Sequence, residues 1–179
     1  MEERGIDPKT RRRVERFEAQ IARDPGDAYA YVNMGLWWHW LEHYAKAIDH
    51  YDIAIQLDPR FAYARCARAG LLATCPNPRF RSGVSAVRDA TAALGIASET
   101  NRLATNWKRR MYLGALAAAL AERGDFDAAV RTQRETLPFC ITRTNENVAN
   151  VRIAQFQEGQ ALRAATGLIR SGVSRARGG

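Results

Sequence analysis

A chain of 179 residues that is 46% apolar and 26% charged can bury one sizeable core and does not have the composition of a disordered polypeptide. Its three cysteines, odd in number and scattered, exclude a disulfide framework. The longest apolar run, Met111 to Ala121, falls well short of the roughly 18 residues of a membrane span, and a net charge of +8 leaves a basic protein whose partners could be acidic.

The start reads Met-Glu-Glu-Arg, with no apolar leader, so the expected location is cytoplasmic. Residues 1–9 read as a flexible N-terminus. From Thr10 to Arg23 a helical pattern carries Val14, Phe17, Ala19 and Ile21 and closes at Asp24-Pro25. Phe17 stands where the large residue of a second repeat helix belongs, so 10–27 reads as half a repeat.

Residues 28–61 hold the clearest pattern in the chain. Tyr31, Met34, Gly35 and Trp38 recur at helical spacing, followed by Ala47, Tyr51 and Ala54, then Pro59. The first four lie on one face of a helix and the next three on one face of a second. The small residues let the two backbones approach, and the proline ends the second helix. A turn is expected at Glu42–Tyr44.

The stretch 62–98 repeats this pattern imperfectly. Leu71-Leu72-Ala73-Thr74-Cys75-Pro76-Asn77-Pro78 ends its first helix, because two prolines enforce a stop. A second helix from about Gly83 places Ala86, Ala90 and Ala93 in register if the turn holds five extra residues. Arg65 and Arg68 occupy positions where large apolar residues belong. Either their stems cover apolar surface while the heads reach water, or the helix is rotated.

Residues 98–108 form a polar connection with one expected anchor, Trp107. A third repeat, 110–143, carries Leu113, Leu116, Ala117, Leu120 and Ala129 around the turn Arg123-Gly124-Asp125-Phe126. Gln133 and Thr136 match the template weakly, which predicts looser packing of its second helix. A capping helix is expected over 147–169 from Val151, Phe156, Leu162 and Ile169, and 171–179 reads as a disordered basic tail.

The period of about 34 residues and the large–large–small–large, small–large–small, Pro order resemble the tetratricopeptide repeat over about residues 10–165. Residues 71–83, Ala86-Val87 and the run from Tyr112 to Val130 look like bacterial arrays of this kind. The resemblance implies an all-α, right-handed solenoid of antiparallel helix pairs, about three repeats plus capping helices. It also implies a non-catalytic scaffold or adaptor whose first helices line a concave face for a peptide or partner protein.

If the template positions pack inward, the opposite stripe of each first helix lines that face. It carries Tyr29, Val32, Asn33, Leu36, His39 and Trp40 in the first repeat. In the second it carries Tyr63, Cys66, Gly70, Ala73 and Thr74, and in the third Met111, Gly114, Ala118, Ala121 and Glu122. We take Tyr29, Val32, Asn33, Leu36, His39, Trp40, Tyr63 and Met111 as the candidate partner-binding groove. A capping helix or a second copy filling this surface is the competing reading. One subtype of the family clamps a C-terminal carboxylate with Lys, Asn and Arg on this stripe. Here those positions hold Val32, Leu36, Ala67, Met111 and Ala115, so that activity is not expected.

Of the tryptophans in Trp37-Trp38-His39-Trp40, Trp38 belongs to the core and Trp37 packs toward a neighbouring helix, leaving Trp40 as a candidate anchor. His39, His43 and His50 lack a zinc-enzyme pattern. Cys66, Cys75 and Cys140 lack a positioned base, since all three histidines lie in the first repeat. No metal, cofactor or catalysis is therefore expected. Residues 62–109 hold eight basic against two acidic residues. Arg65, Arg68, Arg79, Arg81 and Arg88 form a basic patch that would steer acidic partners, while the groove would take partners with apolar anchors. Nucleic acid is the less favoured partner, because the aromatics cluster away from the arginines. Self-association is a further reading, since half a repeat at the start leaves an apolar end.

Overall fold

The computed structural model describes residues 8–100 and 105–164. The expected flexible N-terminus lies outside the described residues except at its last positions, and the expected basic tail lies wholly outside them. Among the described residues there are eight α-helices and no strands: α1 (Pro8–Arg23), α2 (Ala28–Trp40), α3 (Tyr44–Leu57), α4 (Ala62–Thr74), α5 (Gly83–Glu99), α6 (Asn106–Arg123), α7 (Phe126–Arg134) and α8 (Arg143–Gln157). Helices α2 and α3, α4 and α5, and α6 and α7 pack as sequential pairs, while α4 also packs on α6 and α5 on α6. This is the stacking of a helix-pair solenoid, the architecture expected from the period.

Local chemistry sets the helix ends. The Asp27 carboxylate accepts the N–H groups of Tyr29 and Ala30 at 2.9 and 3.1 Å and so caps α2. Gly124, at φ +95°, closes α6 in the left-handed conformation, and its N–H donates to the Ala121 carbonyl at 3.1 Å. Thr142 caps α8 by accepting from Asn145 N–H at 3.2 Å. The turn between α2 and α3 comprises Leu41, Glu42 and His43, so Tyr44 begins α3 rather than closing the turn.

Most template positions of the first repeat are buried as their spacing requires, Tyr31 being half-buried. Met34, Trp38, Ala47, Tyr51 and Ala54 are all core residues. A Cβ on Gly35 would stand 2.6 Å from Tyr51 Cε1, so only glycine lets the Tyr51 ring lie against α2. The insertion in the second repeat forms a short 3-10 turn, Pro78–Phe80, capped by Asn77. Phe80 packs back on the first core cluster with its ring 5.8 Å from Tyr44, and Arg81 Nε donates to Glu122 at 3.0 Å. The extra residues thus tie the first repeat to the end of α6.

Four expectations need correction. The second helix of the third repeat is not loosely packed: Gln133 and Thr136 are buried, and Gln133 Nε2 donates to Thr136 Oγ1 at 3.0 Å. That helix is short instead, because Pro138 lies just beyond it in a second 3-10 turn. The last helix runs over 143–157 and not 147–169. Thr142 caps its start, and Gly159, at φ +70°, turns the chain out of the helix. Leu162 therefore reaches the core from a non-helical segment, while Ile169 lies outside the described residues.

Arg68 does neither of the two things its position suggested. Its head points inward, donating from Nε to Asp89 Oδ2 at 2.7 Å and also pairing with Asp52. Asp89 on α5 is fully buried, so the ion pair links α3, α4 and α5 inside the array. Burial works against the Arg68 charge, but the hydrogen bonds and negative charges of Asp89 and Asp52 outweigh it and raise its pKa. Finally, Trp107 is no core anchor. It is 53% exposed on the first turn of α6, which begins before the expected Arg110.

Candidate functional site

Helices α2, α4 and α6 bring four of the expected groove residues to one cleft of about 350 Å³. Tyr29, Asn33, Tyr63 and Met111 line it together with Phe61, Trp107, Lys108 and Tyr112. Tyr29 stacks on Phe61 at 6.1 Å between ring centroids, and Phe61 meets Tyr63 at 6.5 Å. The result is an aromatic wall open to solvent, with Tyr29 58% exposed. Such a surface gives a large apolar contact area at small loss of side-chain freedom.

The other groove candidates lie elsewhere. Val32 is fully buried among Ala54, Ile55, Phe61 and Ala64, so it supports the cleft from beneath. Close approach of α4 through Ala64 closes over it, which narrows the exposed stripe. Leu36 packs partly into the first core cluster and into the Val32 cluster. Trp40 is half-buried, edge-on to Trp37 at 5.3 Å, and is not a lining residue of this cleft. Trp37 in turn lies under the Arg13 guanidinium at 5.2 Å, so it does pack toward the neighbouring helix α1. His39 faces Tyr44 at 6.0 Å, and burial holds its imidazole below the ordinary pKa.

A second cleft, of about 430 Å³, continues from the first along α4, α6 and α8. It shares Trp107 and Met111 with the first and adds Gly70, Gly114, Ala118 and Ala149 as a floor of small residues. Arg110, Arg152, Asn145 and Gln133 are its polar lining. Beyond it, the non-helical segment after α8 crosses the same face. Ala164 N–H donates to the Thr74 carbonyl at 2.8 Å, and Arg163 Nη1 meets Glu122 at 2.6 Å. Leu162 packs toward the core and closes that end. Spacing could not reveal Arg152 or this crossing segment, because α8 departs from the repeat register and residues 158–164 have no periodicity.

The five arginines of the expected basic patch do not stand together as free charges. Arg65 donates from Nε and Nη2 to the Pro59 carbonyl at 3.1 and 3.0 Å. Arg68 is committed to Asp89 and Asp52, and Arg81 to Glu122 and to the Cys75 and Pro76 carbonyls. Arg88 reaches Asp89 at 3.4 Å but is largely exposed, as is Arg79.

Burial pushes the Cys66 thiol up to about 12 and raises Cys75 as well, holding both as neutral thiols. The His43 ring lies edge-on to Trp38 at 5.4 Å, and the His50 ring meets the Lys46 carbonyl. Among the described residues no three His, Cys, Asp or Glu side chains come together to hold a metal ion. No described helix is long and apolar enough to cross a membrane.

No curated protein matches the chain at a significant level. The family model of the tetratricopeptide repeat matches residues 28–61, the stretch that forms α2 and α3. That match falls on one helix pair of an all-helical stack, so residues 28–61 carry a tetratricopeptide repeat, a repeat typical of protein–protein interaction scaffolds.

Proposed function

We propose that this protein is a scaffold that holds a peptide or partner segment along the concave face formed by α2, α4 and α6. The observation that carries this reading is the open aromatic cleft of Tyr29, Tyr63, Trp107 and Met111. Apolar side chains left half-exposed in a concavity mark a surface that gains by being covered. The small residues of the adjoining floor leave room for an extended backbone. Arg79 and Arg88, facing solvent, keep the middle repeat positive and favour encounter with acidic partners. The helix Asn106–Arg123 and the segment after α8 bound the groove, which makes repeats one to three a single binding unit.

The test uses a pool of fluorescein-labelled nonapeptides degenerate in Leu, Phe, Ala and Glu, read by fluorescence polarisation. Tyr63→Ala and Met111→Ala should each weaken binding by about tenfold or more, as truncation of a central anchor does. Val84→Ala, at an exposed position of α5, should leave affinity unchanged. If both cleft variants fold and bind as the parent does, the cleft is not the docking surface.

A further inference from the structure

The second cleft contains two arginines whose charges no described residue answers. Arg110 on α6 and Arg152 on α8 both line it. The Arg152 guanidinium lies across α6, with Nη1 3.5 Å from where a Cβ on Gly114 would stand. Among the described residues neither arginine has a hydrogen bond or an ion pair, whereas Arg60, Arg68, Arg81, Arg88, Arg123 and Arg163 each meet a carboxylate. Burial, and then the positive charge of Arg110, lower the Arg152 pKa. Two like charges drawn together and partly desolvated oppose folding unless an anion joins them.

A second unanswered group lies in the same cleft. Gln133 is buried, and its Oε1 has no hydrogen-bond donor. A buried acceptor in this state can take an N–H from a bound backbone. Gly70, Gly114 and Ala118 let such a backbone approach, and Met111 and Val148 supply apolar walls.

We infer that the cleft between α4, α6 and α8 binds an internal Asp or Glu of an extended partner peptide, its carboxylate held between the Arg110 and Arg152 guanidinium groups. This rests on the reading of the concave face as a peptide groove and assigns the acidic specificity to residues outside the arginine-rich second repeat. Guanidinium forks suit a carboxylate because their N–H groups meet its two oxygens in parallel. A cleft of about 430 Å³ holds a few residues of such a segment and is otherwise lined by small and apolar side chains.

The experiment uses three pools of C-terminally amidated, fluorescein-labelled nonapeptides degenerate in Leu, Phe and Ala. They differ at one central position: Glu, Gln or phosphoserine. The wild-type chain should bind the Glu pool about tenfold or more tightly than the Gln pool. Arg110→Gln and Arg152→Met should each remove most of that preference while leaving affinity for the Gln pool unchanged. Amidation ensures that the response comes from an internal carboxylate. Equal wild-type affinity for the Glu and Gln pools overturns the inference and leaves the groove standing. Failure to bind either pool overturns both. Tighter binding of the phosphoserine pool than of the Glu pool overturns the carboxylate assignment in favour of a phosphopeptide. Loss of both pools alike in the two variants marks the arginines as structural and also overturns it.

Discussion

Arg68→Met lowers the unfolding free energy by about 3–5 kcal/mol, the largest loss we expect from a single substitution in this chain. Methionine keeps much of the aliphatic stem and removes the charge. Asp89 is then left fully buried, with only the exposed Arg88 guanidinium at 3.4 Å among the described residues. An uncompensated buried carboxylate retains its desolvation penalty, which is why removing one partner is worse than removing both. The double variant Arg68→Met with Asp89→Val should regain most of the loss, to within about 1–2 kcal/mol of the parent. Chemical denaturation of the two single variants and the double variant closes this cycle. Additive losses would mean that Arg68 and Asp89 do not act as a pair.

Gly83→Ala comes next in magnitude, at about 3 kcal/mol. Gly83 opens α5 where α5 meets the end of α6. A Cβ there would stand 2.5 Å from the Arg123 backbone nitrogen and 2.6 Å from its Cα. The obstacle is backbone held by the Gly124 turn, so no side-chain rotation relieves it, and helix α5 must shift. In a domain of this size such a loss lowers Tm by roughly 6–12 °C. Gly95 provides the control. It lies in the same helix with nothing within 4 Å of its would-be Cβ, so Gly95→Ala should stabilise by about 0.5–1 kcal/mol. Thermal melts of the two variants should therefore move in opposite directions, and a Gly83→Ala melt that matches the parent would contradict the close approach.

Much of the fold was legible because the repeat encodes it in residue size. Gly35 opposite Tyr51, and Ala86, Ala90 and Ala93 facing the neighbouring helices, follow from spacing alone. The insertion at residues 75–82 announced itself through its prolines. The fate of Arg68 was not legible, because its partners Asp89 and Asp52 lie 21 and 16 residues away on two other helices. Local pattern offered only water or a rotated helix.

The lining of the cleft was half legible for a related reason. A helical stripe predicts direction but not what the next helix covers. Val32 points along the stripe and is buried by α4, while Tyr29, Asn33, Tyr63 and Met111 remain in the cleft. Trp107 and Arg152 come from the start of α6 and from α8, where the template gives no register, so their place in the clefts emerges only from packing. Leu162 shows the same limit, since it reaches the core from a segment with no period at all.

The central claim is that the concave face of α2, α4 and α6 receives a partner segment. Amide and methyl chemical-shift mapping of the isotopically labelled chain, titrated with the amidated Glu-containing nonapeptide pool, tests it most directly. The account predicts saturable shifts at Tyr29, Asn33, Gly70, Met111 and Gly114, and none at the exposed Val84, Arg88 and Thr91 of α5. Shifts confined to the outer helices, or none at all on the concave face, would contradict it.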